Sequence, residues 1–153
     1  MIAAWRIVKA KHAPNAFDGE GARLSGGRWN SPGTRMIYTS STAALAILEM
    51  LVHLNRALTL PSYVLIRCEF DDALVSNIDR SLLPANWRSY PAPPQLQAIG
   101  DQWVKNGSSA VLRVPSAVIE RESNYLLNPE HQTFARVKIF DPEPLALDLR
   151  LVK

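Results

Sequence analysis

Side chains that could bind a phosphate group and act on the molecule carrying it are concentrated between residues 19 and 49. Five of the seven glycines lie in the first half of this stretch, and three arginines lie among them. They are Gly19, Gly21, Gly26, Gly27 and Gly33, with Arg23, Arg28 and Arg35. Glycine lets the backbone approach a ligand closely, and the planar guanidinium matches phosphate oxygens. The pattern predicts a basic loop that binds an anion, with an ordinary surface loop of solvated arginines as the alternative.

This loop matches neither of the common phosphate-binding motifs. It contains no GxxxxGK[ST] sequence, so it is not a P-loop. In a dinucleotide fingerprint that began with Gly19 and Gly21, Leu24 would stand in place of the third glycine. A phosphate site in this loop must therefore be of a different kind.

One acid, Glu49, follows the loop within an apolar segment. Residues 43–54 read AALAILEMLVHL and predict a helix that is apolar on all sides and therefore buried. Three hydroxyl residues that could cap it precede it: Ser40, Ser41 and Thr42. A buried carboxylate costs free energy unless it is paired, and Arg28 and His53 are candidate partners. The alternative to a catalytic role for Glu49 is an ion pair that only connects the helix to the loop. The E-x-x-x-H spacing lacks a third ligand, so no metal site is predicted.

Two blocks of the chain resemble a known family. The segment GEGARLSGGRWNSPGTRMIYTSSTAALAILEML resembles the first half of a RES domain, a family named for an arginine, a glutamate and a serine. Arg28 in GGRWN and Glu49 match the first two, and Tyr38 matches the tyrosine that the family places between them. The later segment VPSAVIERESNYLLNPEH resembles the second block, where Ser116 matches the serine. The resemblance covers essentially the whole chain.

The resemblance implies a fold, an activity and a partner. RES proteins are the toxin halves of bacterial type II toxin–antitoxin pairs, usually encoded beside a helix-turn-helix antitoxin of the Xre type. Their fold resembles that of ADP-ribosyltransferase toxins. Their activity is directed at NAD as a substrate, whose nicotinamide–ribose bond some members cleave with water or phosphate. Similar enzymes instead transfer ADP-ribose to a protein.

Five residues acquire expected roles from this resemblance and from the chemistry of the bond. Cleavage passes through an oxocarbenium-like transition state, which nearby negative charge stabilises. We expect Glu49 to supply that charge and hold the ribose hydroxyls, Arg28 to bind a phosphate of NAD, and Tyr38 to stack on or orient the nicotinamide. Ser116 is expected to donate a supporting hydrogen bond to the ligand or to Glu49. Asn124 is expected to face the same pocket.

The polar stretch that contains Asn124 also contains Asn128 and His131. From its composition alone, turn hydrogen bonding is the simpler interpretation of all three side chains. A cap or turn is likewise the simpler interpretation of Ser116, because no G-x-S-x-G motif surrounds it.

Composition predicts a single domain, 1–153, in the cytoplasm. The chain has 153 residues with 47 % hydrophobic content, and its formal charge of +3 is modest. The longest basic cluster, Arg6, Lys9 and Lys11, predicts a solvated strand end, so no direct nucleic-acid binding is expected. The single Cys68 excludes an internal disulfide and is expected to be buried in a strand. No signal peptide and no membrane-spanning run are recognisable, so no membrane contact is expected.

The order of elements predicts an α/β (α+β) fold with a mixed, largely antiparallel sheet. Alternating or apolar runs predict strands at 2–8, 36–39, 62–70, 73–78, 110–114, 134–140 and 145–151. Helices are predicted at 43–54 and at 95–106, where Gly107 marks the C-terminal end of the second.

Three functions therefore compete. The favoured one is a toxin enzyme that consumes NAD, with ADP-ribosylation of a protein as its close alternative. The second is a non-enzymatic module that uses the glycine–arginine loop to bind a partner while Glu49 is structural. The third is a ribonuclease-type toxin, which the sequence pI of 9.2 favours but which lacks an evident histidine pair or aromatic stacking platform.

Overall fold

The computed structural model describes residues 1–54 and 62–152, and its described part contains eight strands in one sheet. The strands are β1 Ile2–Lys9, β2 Ile37–Ser40, β3 Tyr63–Phe70, β4 Val75–Asn77, β5 Val111–Pro115, β6 Ser123–Leu127, β7 Lys138–Ile139 and β8 Glu143–Leu145. Their order is β4-β5-β6-β2-β1-β3-β7, and β8 also pairs with β3. Only β4 and β5 run parallel; the other pairs in the described sheet are antiparallel. The expected α+β class with a largely antiparallel sheet is confirmed.

Three α-helices accompany the sheet in the described residues: α1 Glu20–Ser25, α2 Ala43–Leu51 and α3 Pro94–Asn106. The Thr42 side chain caps α2 by accepting a hydrogen bond from the backbone N–H of Leu45 at 3.0 Å. Gly107 ends α3 with φ of 61°, a left-handed conformation that glycine adopts without strain. Both helix-end signals therefore act as the sequence predicts.

The sheet is buried on both faces at its centre. In β6, Leu126 packs into one cluster, with Trp29, Leu96 and Trp103, while Tyr125 and Leu127 pack into the other, with Ala4, Ile37 and Phe70. Successive side chains of a strand point to opposite faces, so a strand that joins two clusters must be apolar throughout. Cys68 lies fully buried in the second cluster, as expected.

Helix α2 is not buried on all sides, which corrects the prediction from its apolar sequence. It packs against β1 and β2 and buries only Leu45 and Ala46. Leu48 is 36 % exposed, and Val52, just beyond the end of the helix, is 60 % exposed. The side of α2 that carries Leu48 is therefore apolar and open, whereas Glu49 shares the side of the helix that carries Leu45 and Ala46.

The predicted strands at 134–140 and 145–151 are wrong over most of their length, since only residues 138–139 and 145 within them are in strands. Residues 134–136 and 149–152 form short 3-10 turns, and in this part of the chain only the short strands β7 and β8 join the sheet, on the edge of β3 opposite β1. Pro142 and Pro144 lie beside and within β8 and have no N–H to donate, which limits ladder formation along this edge. The alternation of apolar and polar residues did not by itself reveal that ladder formation is limited along this edge.

Two further predictions need correction. The predicted strand at 73–78 begins with a 3-10 turn, Asp72–Leu74, because the Asp71 side chain accepts a hydrogen bond from the N–H of Ala73 at 2.8 Å. Strand β6 lies in the polar stretch that was interpreted as turns. Its polar members are Ser123 and Asn124, and the remaining three residues are buried and apolar.

Candidate active site

Glu49 is held by two neutral donors, one just after the end of β5 and one on β6. Its Oε1 accepts a hydrogen bond from Ser116 Oγ at 2.7 Å and another from Asn124 Nδ2 at 2.7 Å. Within the described residues, Oε2 accepts no hydrogen bond and the carboxylate enters no salt bridge. The suggested ion pairs with Arg28 or His53 therefore do not form there. Glu49 is half-buried, and its charge is not neutralised by a cation in direct contact.

The direction of the Ser116 hydroxyl follows from its surroundings. Ser116 follows the end of β5, is fully buried, and donates its backbone N–H to Glu122 O at 2.9 Å. Its Oγ accepts the N–H groups of Val118 at 3.1 Å and Ile119 at 3.0 Å. A hydroxyl has one proton to donate, and with both lone pairs occupied that proton points to Glu49. The Ser116 side chain thus caps the following turn and also orients the Glu49 carboxylate.

Asn124 lies on β6, where it is opposite Ser40 of β2 and Val114 of β5. This position in the sheet aims its amide at Glu49, so the interpretation as a turn residue was wrong. Its Oδ1 is buried and has no hydrogen-bond partner among the described residues. Burying an unpaired amide oxygen lowers the free energy of unfolding. The position in which the Asn124 amino group contacts Glu49 therefore reduces the stability of the fold.

Asn128 and His131 do not reach this cluster. The N–H of Glu130 donates to Asn128 Oδ1 at 3.0 Å, and His131 Nε2 lies 2.9 Å from Gly107 O at the end of α3. Their hydrogen bonds shape the turn after β6, as the composition of the stretch predicted.

Arg28 lies near Glu49 and is held by backbone carbonyl groups. Its Nη1 donates to the carbonyl oxygens of Trp87 at 2.9 Å and Ser89 at 3.0 Å. Partial burial lowers the pKa of Arg28, and the negative charge of Glu49 acts in the opposite direction. The two residues are thus close enough to interact electrostatically without touching. Nε and Nη2 of Arg28 make no hydrogen bond to a described residue and remain available for an anion.

Tyr38 fixes the turn that carries Arg28. Its hydroxyl donates to Asn30 Oδ1 at 2.6 Å and accepts the N–H of Trp29 at 3.0 Å. Burial raises the pKa of the Tyr38 hydroxyl, so it keeps its proton. Asn30 is fully buried and donates to the carbonyl oxygens of Ala22, in α1, at 2.8 Å and of Thr34 at 3.0 Å.

Helix α3 also holds the turn that carries Arg28, a role that the sequence did not suggest. Gln97 Nε2 donates to Gly27 O at 3.0 Å and Asn30 O at 3.1 Å, and Asp101 accepts the N–H of Ser31 at 3.0 Å. At Gly100, an added Cβ would lie 1.6 Å from the carbonyl oxygen of Trp29. A glycine in the middle of a helix was the available signal of this close approach.

Only part of the glycine-rich stretch is a loop. Residues 20–25 form α1, where Glu20 pairs with Arg23 and its Oε2 lies 3.4 Å from Arg35 Nε. Two of the three arginines are therefore committed to Glu20 on the surface. Arg28 is the arginine of this stretch that lies at the site.

Arg6 supports the backbone of the site residue Tyr38, and grouping it with a solvated strand end was wrong. Its Nε donates to Ala16 O at 2.7 Å and its Nη1 to Tyr38 O at 3.0 Å. Desolvation by burial lowers the pKa of Arg6 to about 10. The β1–β2 register is limited to the pair Trp5 and Ser40, so the guanidinium bridges the strands where they separate.

The described residues contain no group of three or more histidine, cysteine, aspartate or glutamate side chains that could hold a metal ion. No helix among them is both long enough and apolar enough to cross a membrane.

Comparison with known proteins gives a consistent result. The family model described as RES domain matches residues 3–148. A protein of Yersinia enterocolitica named Toxin Res is 38 % identical over 148 residues, which cover 96 % of this chain and 97 % of that protein. A Sphingobium protein named Prs ADP-ribosylating toxin is 34 % identical over 155 residues, covering 97 % and 96 % of the two chains.

A solved structure shares the fold. It is the crystal structure of the M. tuberculosis MbcT–MbcA toxin–antitoxin complex, which matches with a TM-score of 0.73 and 21 % identity over 95 % of this chain and 84 % of that one.

Proposed function

The chain belongs to the RES domain family, and we propose that it is the toxin of a bacterial toxin–antitoxin pair that cleaves the nicotinamide–ribose bond of NAD. Water or phosphate would be the acceptor. The observation that carries this proposal is the environment of Glu49. A structural glutamate is usually neutralised by an arginine or lysine, whereas this one is oriented through Oε1 by two neutral donors, Ser116 and Asn124.

Such a carboxylate suits an oxocarbenium-like transition state. As nicotinamide leaves, positive charge develops on the ribose, and a fixed negative charge beside it lowers the barrier. The nicotinamide leaves as a neutral molecule and needs no acid to protonate it. Oε2 of Glu49 would face the ribose, with Oε1 held in place by its two partners.

The remaining residues would position the dinucleotide. Arg28 would bind a phosphate of NAD through Nε and Nη2, since Nη1 is committed to backbone carbonyls. Tyr38 would hold the Arg28 turn with its hydroxyl and present its partly exposed ring to the nicotinamide. Ser116 and Asn124 would act through Glu49 as positioning residues.

An antitoxin is the expected protein partner. The relatives carry the name of a toxin, and the structural neighbour is a toxin in complex with its antitoxin. We propose that an Xre-type helix-turn-helix antitoxin binds this chain, and that the enzyme acts on the NAD pool of the cytoplasm.

Transfer of ADP-ribose to a protein is the second candidate activity. It is favoured by the name of the Sphingobium relative, an ADP-ribosylating toxin. Both activities break the same bond and differ only in the acceptor, so the geometry of Glu49 serves either one.

The test is NAD consumption by purified protein without a partner, compared with the Glu49→Gln variant. We expect release of nicotinamide by the parent protein and loss of most turnover in Glu49→Gln, which keeps the shape and removes the charge. The control is Glu130→Gln, the same change at an exposed acid in the turn beyond β6, which should retain full activity. Full activity in Glu49→Gln would sink the role of the acid.

The products identify the acceptor. Free ADP-ribose indicates hydrolysis, ADP-ribose 1-phosphate indicates phosphorolysis, and label transferred from NAD to protein indicates ADP-ribosylation. If folded protein leaves NAD untouched with every acceptor, the enzymatic proposal fails and the non-enzymatic module is favoured.

A further inference from the structure

Tyr90 is an exposed aromatic residue beside the candidate active site. Its exposed fraction is 79 %, and it lies in the connection between the 3-10 turn Arg80–Leu82 and α3. An aromatic ring of this size usually buries most of its area. Packing of the fold therefore does not explain why the ring stands at this position.

The backbone just before Tyr90 is attached to Arg28. The two bonds from Arg28 Nη1 reach the carbonyl oxygens of Trp87 and Ser89, so the attachment ends one residue from Tyr90. The Tyr90 side chain is also near enough to influence the pKa of Arg28. The guanidinium and the ring consequently border the same space.

The opposite side of this segment is attached to the turn that Ser116 caps. Arg88 donates from Nε to Ala117 O at 3.0 Å and from Nη1 to the Glu120 carboxylate at 3.2 Å. The segment therefore spans from the Arg28 turn to the turn that orients Glu49. Two independent anchors fix the backbone on which the exposed ring is mounted.

A third contact brings Tyr90 to α2. The rings of Tyr90 and His53 lie with their centroids 6.0 Å apart at an angle of 57°. His53 lies in the turn just past the end of α2, four residues after Glu49. Tyr90 thus reaches from the Arg28 side of the site to the Glu49 side.

We propose that Tyr90 is a substrate-binding residue whose ring stacks on one of the two flat bases of NAD while Arg28 holds a phosphate and Glu49 faces the ribose. This inference rests on the proposed function and adds a specificity contact to the same site. Stacking needs an exposed ring face on a fixed backbone, which the three contacts provide. No proton or covalent bond is moved, so the contribution is to binding.

The first experiment measures NAD affinity in the Glu49→Gln background, where the substrate is not consumed, by titration calorimetry. Adding Tyr90→Ala should weaken NAD binding about ten-fold, the usual loss for one base–aromatic stack. Adding Tyr90→Phe, which keeps the ring, should change the affinity less than about two-fold. Leu82→Ala is the control, because Leu82 is 63 % exposed at the end of the 3-10 turn that precedes this connection and lacks the contacts with Arg28 and His53.

Steady-state kinetics supply a second readout in the otherwise unchanged enzyme. Tyr90→Ala should raise KM for NAD by a similar factor with little change in kcat, because a base stack that is equally strong in the ground state and the transition state contributes only to binding. A loss confined to kcat would overturn the binding role.

Two half-substrates then identify the base. If the ring stacks on nicotinamide, Tyr90→Ala weakens nicotinamide mononucleotide; if it stacks on adenine, the variant weakens ADP-ribose. Unchanged affinity for NAD and both halves would overturn this inference and leave the proposed function intact. Absence of NAD binding and cleavage in the parent protein would refute the proposed function itself.

Discussion

Gly100→Ala is the most decisive single substitution for the Arg28 turn. The added Cβ would lie 1.6 Å from Trp29 O and 2.7 Å from Trp29 C, and both are backbone atoms. Ordinary contact begins at 3.4 Å, so helix and turn must separate by about 1.8 Å. Overpacking of this kind costs about 1–3 kcal/mol of unfolding free energy. Because Arg28 is adjacent to Trp29, the same shift displaces its guanidinium.

The effect on catalysis should be comparable in free energy with the effect on stability, because a 100-fold loss in rate corresponds to about 2.7 kcal/mol. Misplacing a substrate-binding group by about 1 Å can cost roughly 100-fold in rate, so we expect kcat/KM for NAD to fall by about that factor while the variant remains folded. Urea unfolding and nicotinamide release measure the two quantities on one preparation.

A matched glycine substitution provides the control. Gly21 lies in α1, has no neighbour within 4 Å of an added Cβ and does not have a positive φ. Gly21→Ala should therefore leave activity unchanged and raise the unfolding free energy by about 0.5–1 kcal/mol. Wild-type kcat/KM in Gly100→Ala would refute the reasoning that α3 positions Arg28.

Three other perturbations test neighbouring contacts. Ser116→Ala and Asn124→Ala should each lower kcat about ten-fold, since hydrogen bonds to charged groups contribute about 1.5–3 kcal/mol. The double variant should lose more than the product of the two single losses in kcat, because in each single variant the remaining donor still holds Oε1 of Glu49. A double-mutant cycle with no coupling would contradict this expectation. Tyr38→Phe leaves the buried Asn30 Oδ1 without its donor and should cost about 1–3 kcal/mol in denaturant unfolding; an unchanged midpoint would argue against it. Burial raises the pKa of the Cys68 thiol to about 12 from 9.0, so the folded chain binds more protons above pH 9. The unfolding free energy should therefore fall as pH rises from about 9 towards 12, and Cys68→Ala should remove that part of the slope; an identical slope in the variant would show that the thiol does not contribute.

Local signals explain the parts of the fold that were predicted correctly. Thr42 caps α2 and Gly107 ends α3 through hydrogen bonds that span only a few residues. Strands β1 and β3 are long enough for their apolar pattern to be unambiguous. The strand predictions at 134–140 and 145–151 failed because a strand there needs another strand to pair with, and β3 offers one edge to both segments.

The sequence by itself determined which residues could form the site. Arg28, Tyr38, Glu49 and Ser116 were selected through their match to the RES pattern, and the match of the family model to residues 3–148 confirms the family. Their individual roles stay predictions until the variants are measured. The sequence also indicated that Glu49 must find partners, since a carboxylate in an apolar segment is costly alone.

Ser116 was one of the expected partners, and only the tertiary structure showed that Asn124 is the other. Asn124 is 75 residues from Glu49 along the chain, and it faces the acid because β6 pairs with β2 in one particular register. A shift of that register by one residue would turn its amide to the other face of the sheet. The anchoring of the Arg28 turn by Gly100 likewise depends on how closely α3 approaches Trp29. Distances between segments far apart in sequence follow from the packing of the whole chain, and no short stretch of residues encodes them.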